Sequence, residues 1–243
     1  MGALTSTIAS WFGRLVKLVI AFCLIPPFLG LVMGIWSQLE GVVAGSKSVA
    51  EWAMLGAVGY VGVHLFLLQP KALFQAQHRL LSKLSVWLFG GQVATEPPKG
   101  STREKKADKS EKGSKGSDGP QGSTLLVLSP YLVPLYAILI CLVSWALGRW
   151  ANVPRLDEAT GVLVGAAVSL HWVMAAGDLQ QNRSRFPFDA YLLALALIGI
   201  VSSTVVALVL PLAAAPFSIP AVFAEALRQS QAVYSAVWQA LFF

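Results

Sequence analysis

The densest chemistry in the chain lies in one short segment, residues 78–93, HRLLSKLSVWLFGGQV. Its apolar residues follow an approximate helical period, and Gly90-Gly91 is a natural helix end. On such a helix His78 and Ser82 stand four residues apart and share a face. Two imidazoles at that spacing grip one Zn²⁺, and a Glu beside the first takes the proton from the metal-bound water. Here the second position is Ser82, whose hydroxyl is a poor zinc ligand. The neighbouring position is Arg79, whose guanidinium stays charged and accepts no proton. At roughly 5 Å and an effective dielectric of about 20, Arg79 would repel a cation by on the order of 3 kcal/mol per unit of metal charge. The same residues also suit a membrane-surface helix, with His78 interfacial and Arg79 and Lys83 snorkelling.

The segment resembles the active-site helix of site-2-protease-like intramembrane zinc metalloproteases, which reads H-E-x-x-H and is often followed by a Phe-Gly-Gly turn. His78 stands at the first His, Arg79 at the base and Ser82 at the second ligand. Residues 129–136, SPYLVPLY, are similar to the A-P-Y-x-x-P-L-Y stretch that opens the next membrane helix in that family. Pro130, Tyr131, Pro134 and Tyr136 carry this likeness. Pro130 is expected in the first turn, where its missing N–H is harmless, and Pro134 one turn later, where it bends the helix. Residues 170–179, LHWVMAAGDL, then look like the family's downstream His and Gln-x-Asp-Leu elements, with Ala176-Gly177 in place of Gln-x. In that resemblance Asp178 is the third metal ligand; read alone, it suits a solvated acid near a helix end.

The resemblance covers roughly residues 52–205 and implies a protease scaffold whose chemistry is lost, with no catalytic residue and no cofactor, the ancestral zinc being gone. Such a chain would act by binding: holding a membrane segment, regulating an active relative or scaffolding a complex. A membrane-protein partner is expected beside membrane lipid. Two other readings stay open. One is a metalloenzyme with a rearranged site built from His78, His171 and Asp178. The other is an unrelated small integral membrane protein, such as a transporter subunit or assembly factor.

Composition independently defines the elements that must hold these residues. Of 243 residues, 56% are apolar and 12% charged, where soluble domains carry about 25% charged residues. Long uncharged stretches call for a bilayer, in which the backbone must satisfy its own hydrogen bonds. Continuous apolar runs, rather than alternation, make these helices and not a barrel. The expected fold is all-α, a polytopic helical bundle of about five spans with amphipathic helices. The spans are read at 15–36, 52–69, 125–148, 159–176 and 190–213. Pro26-Pro27 should kink or break the first. His64 in the second is expected to face neighbouring helices and to bond a backbone carbonyl. Gly56, Gly59 and Gly62, and the Gly161-x-x-x-Gly165 pair, suit close helix packing within the chain.

Four regions follow. Residues 1–93 hold the first membrane helices and the degenerate active-site helix, preceded by an interfacial approach helix over the first fourteen residues. Residues 94–123 contain no large apolar side chain and many Lys, Ser and Gly, and are expected to be a disordered basic linker. In the resembled family a short hairpin stands there and helps hold an extended substrate. Residues 124–218 carry the later spans, and 219–243 an amphipathic helix on the outer membrane face. Fourteen Lys and Arg fall on the N-terminal side of such a layout, against Lys47, Arg149, Arg155 and Arg228 on the other. The positive-inside rule therefore puts the N-terminus and the 94–123 loop in the cytoplasm, with a bacterial inner (plasma) membrane as the expected location. Cys23 and Cys141 sit in apolar spans and form no disulfide or metal pattern. There is no phosphate-binding loop and no nucleic-acid module, so the basic balance belongs to the linker and the lipid surface.

Overall fold

The structure, a computed structural model, describes residues 2–66, 71–89, 124–151, 153–181 and 187–243. The 94–123 linker and the Gly90-Gly91 turn lie outside them. The described residues form helices α1 (Gly2–Glu40), α2 (Val49–Phe66), α3 (Lys71–Phe89), α4 (Thr124–Leu132), α5 (Leu135–Trp150), α6 (Leu156–Gln181), α7 (Phe188–Ala213) and α8 (Ile219–Phe242). A two-residue antiparallel ribbon, β1 (Val43–Ala44) with β2 (Lys47–Ser48), turns α1 into α2 through Gly45 at φ +64°. Among the described residues, four helices are long and apolar enough to cross a membrane: Trp11–Glu40 of α1, α2, α6 and α7. The molecule is a helical membrane bundle, as composition requires.

Specific contacts set the directions of the helices. Lys17 on α1 stands 3.9 Å from Asp189 at the start of α7, and Phe28 lies over Gly199, so these helices run parallel. Trp172 of α6 packs edge-on to Phe28, with ring centroids 5.4 Å apart, and donates from Nε1 to Ser202 Oγ of α7 at 2.8 Å. On α6, Gly161 faces Val49 and Trp52 of α2, and Gly165 faces the Ala53 carbonyl. Gly56 faces the Val162 carbonyl in return. These glycines remove the Cβ atoms that would hold α2 and α6 apart. Gly59 and Gly62 behave otherwise: a Cβ at either would meet nothing within 4 Å. Internal packing therefore accounts for only part of the glycine pattern.

Two proline expectations change. α1 runs unbroken through Pro26-Pro27. Pro27 has no N–H for the Cys23 carbonyl one turn earlier. The Tyr234 hydroxyl of α8 donates to that carbonyl instead. Ser230 Oγ lies 3.1 Å from the Pro26 carbonyl and 2.7 Å from that of Ala226, so its single proton serves one at a time. At the Cys23 carbonyl, a neighbouring helix thus supplies what Pro27 removes. The expected third span is instead two helices. Pro130 lies near the end of α4, not in a first turn, and the chain leaves helical geometry at Val133 and Pro134, the latter becoming the N-cap of α5. Pro134 breaks the segment where a bend was expected.

The C-terminal helix also differs from the expectation of a surface helix. α8 lies antiparallel along α1. Val222 meets Gly34, Ala226 meets Gly30, Ser230 meets Pro26 and Tyr234 meets Cys23. The first fourteen residues, expected as a separate approach helix, continue α1 without interruption.

Candidate functional site

The α4–α5 break positions the site. There the Val133 carbonyl accepts from the Leu135 N–H at 2.9 Å in a tight turn, and Gln77 Nε2 of α3 also donates to it at 2.9 Å. Gln77 is almost fully buried, and the same Nε2 lies 3.1 Å from His171 Nδ1 on α6. One side chain therefore ties α3, the break and α6 together. The backbone of Tyr131 faces the His171 imidazole as well, although His171 Nε2 makes no well-aligned hydrogen bond.

The rest of the site lies on the same side of α3. Phe74, Gln77 and Leu81 are buried, while His78 and Ser82 are half-buried beside them. Ser82 Oγ lies 3.3 Å from His78 Nδ1. The His78 ring meets Tyr131 edge-on, with centroids 5.0 Å apart. The Tyr131 hydroxyl in turn donates to Asp178 Oδ2 at the end of α6. Asp178 is near enough for its charge to act on His78. Burial pushes the His78 pKa below its ordinary 6.5, and the Asp178 carboxylate partly offsets that shift. Tyr136 of α5 closes the side of the cluster by donating to the Leu73 carbonyl at 2.8 Å.

Placed residue by residue, His78, Ser82, Tyr131 and Asp178 come together. Pro130 and Pro134 are buried and shape the break. His171 is buried next to them but turns Nδ1 to Gln77. Arg79 is exposed on α3, and the position offers no base. His64 is not on a backbone carbonyl; its Nδ1 lies 3.3 Å from the Tyr60 hydroxyl on the same helix. Gln77 escaped the sequence reading altogether. Its only signal was a polar residue on the apolar stripe with Phe74 and Leu81.

The donor set is a poor fit for zinc. A zinc site takes strong ligands such as imidazole, thiolate or carboxylate, at least three from the protein. The cluster offers one imidazole and one carboxylate with a neutral hydroxyl between them in role, and the second imidazole, His171, sits apart with Nδ1 on the Gln77 amide. Among the described residues, no three His, Cys, Asp or Glu side chains are grouped to hold a metal ion. The arrangement is instead a chain of polar contacts, Ser82 to His78 to Tyr131 to Asp178, with Gln77 and His171 alongside. No protein-family model, curated protein or solved structure matches the chain.

Proposed function

We propose that the chain is a catalytically inactive, intramembrane-metalloprotease-like membrane protein that binds or scaffolds a membrane partner at the face built by α3, α4 and α6. What carries this reading is the single polar cluster in which His78, Ser82 and Asp178 meet through Tyr131. These are the positions where the resembled family keeps its two helix ligands and its third ligand. Each is occupied by a group that hydrogen-bonds a neighbour, and the base position, Arg79, is exposed at the edge. Such a face retains polar groups and a cation for holding a partner segment while lacking the means to activate water.

The proposed orientation has the N-terminus and the 94–123 loop in the cytoplasm. The cluster then lies toward the cytoplasmic end, because Asp178 closes α6 on the side where Lys17 and Asp189 meet. A rearranged metal site is less well supported, since His78, His171 and Asp178 do not group as three ligands among the described residues. A photoreactive residue at Arg79, activated in intact membranes, tests the reading. The expected result is an adduct to a full-length membrane protein. Adducts only to truncated products, or cleavage abolished by a chelator, would contradict it.

A further inference from the structure

The pairing of α8 with α1 keeps a constant register. Residues 34 and 222, 30 and 226, 26 and 230, and 23 and 234 face each other. Extending that register sets the depth of every α8 residue. Between Lys17 and Glu40, α1 carries no charge, and at about 1.5 Å per residue this stretch matches a hydrocarbon core of about 30 Å. Its midpoint falls beside Phe28, the level of Arg228. Gln231 and Ser235 follow at the levels of Ile25 and Ala21. α8 therefore occupies the depth of a membrane span and returns toward the end from which α1 starts.

The side of α8 turned away from α1 is a polar seam at that depth. Ala224, Arg228, Gln231, Ser235, Trp238 and Phe242 are all exposed. Their spacing alternates four and three residues, the pattern of a helix-pairing seam. Arg228 Nη2 lies 2.7 Å from Glu225 Oε1, yet the Arg228 side chain is 73% exposed. An ion pair and two hydrogen-bonding side chains facing lipid at mid-membrane are costly, and such groups normally face protein. Polar side chains of this kind hold membrane helices together.

We propose that this seam pairs the chain with a second copy of itself, the two α8 helices lying parallel about a twofold axis along the membrane normal. The chemistry of the seam selects the occupant, because its two neutral polar groups each complement their own counterpart and its ion pair supplies both charges needed to satisfy a second copy's. A Gln amide both donates and accepts, so Gln231 can bond the partner's Gln231. A Ser hydroxyl does the same at position 235. The Glu225–Arg228 pair can exchange partners across the axis. Trp238 and Phe242, whose rings already lie 4.2 Å apart, extend the contact with apolar surface. This pairing is independent of whether the α3 face binds a partner.

The test uses the full chain in lipid vesicles, with Cys23→Ser and Cys141→Ser as background. Oxidation of a Gln231→Cys variant should link chains into dimers, whereas Val58→Cys on the exposed face of α2 should not. Photobleaching of single labelled molecules should give two steps for the wild type and one step for Gln231→Leu combined with Arg228→Leu. Should that variant fail to insert, Gln231→Asn keeps the amide and should stay dimeric. Single-step wild type, linkage to a different polypeptide, or reaction of Gln231→Cys with a water-soluble, membrane-impermeant maleimide would each overturn the proposal.

Discussion

Gln77 is the residue on which the candidate site turns. Its amide reaches both the carbonyl at the α4–α5 break and the imidazole of His171. Truncating it leaves the buried His171 Nδ1 without its partner, at about 1–3 kcal/mol, while the Val133 carbonyl keeps the Leu135 N–H. Gln77→Ala should therefore lower thermal stability in detergent by that order, whereas Arg79→Ala, on an exposed side chain, should change it by less than about 0.5 kcal/mol. Equal effects would contradict the contrast. His78 adds a pH dependence. Its folded pKa lies below the ordinary 6.5, so the unfolded chain binds the proton more readily. Stability from this position is fully present above 6.5 and is lost as pH falls through the folded value. The wild type should lose stability on acidification more steeply than His78→Gln, and parallel slopes would remove the assignment. The cluster was legible in part because His78, Ser82 and Asp178 stand in recognisable order. Gln77 was not, because one amide on an apolar stripe gives no hint of which carbonyl it reaches.

At the level of elements, the prolines and glycines decide how the helices meet. Tyr234 takes over the Cys23 carbonyl that Pro27 leaves without a donor. Tyr234→Phe should cost about 1 kcal/mol, in the range of a single hydrogen bond. In a Pro27→Ala background the restored N–H would serve that carbonyl, so the same change should cost little. A double-mutant cycle with no coupling would contradict the proposed exchange. The α2–α6 crossing predicts a second contrast. A Cβ at Gly165 would stand 1.9 Å from the Ala53 carbonyl oxygen, while one at Gly59 would meet nothing. Gly165→Ala should destabilise by about 1–3 kcal/mol or more through overpacking, and Gly59→Ala should be neutral or stabilising. Apolar runs made the helices easy to find, since length and hydropathy alone identify a span. They did not reveal that α1 survives Pro26-Pro27 or that Pro134 splits α4 from α5. The first is accompanied by a partner remote in sequence, the Tyr234 hydroxyl of α8, and beside the second the Gln77 amide bonds the Val133 carbonyl.

For the whole molecule, the feature that the sequence did not show is the packing of α8 lengthwise along α1. Its Glu, Arg and Gln residues lower its mean hydropathy, so composition gave no sign of that pairing. The orientation proposed from Lys and Arg then puts both ends of the chain on one side, with the 94–123 loop on that side too. Protease added to sealed, right-side-out vesicles should leave the loop intact, and cleavage there would contradict the orientation. In the proposed reading, His78, Ser82 and Asp178 stand at former ligand positions, and the contacts they make are hydrogen bonds and ring packing. Three strong protein ligands and an open position for water are what a catalytic zinc site requires, and Ser82 and Arg79 remove two of the functions such a site needs. The most direct measurement is elemental analysis of the full-length protein, purified in detergent after growth with zinc. The wild type should carry no stoichiometric zinc, and His78→Ala should leave its metal content unchanged. About one zinc per chain, lost on that substitution, would contradict the account and establish a metal site in its place.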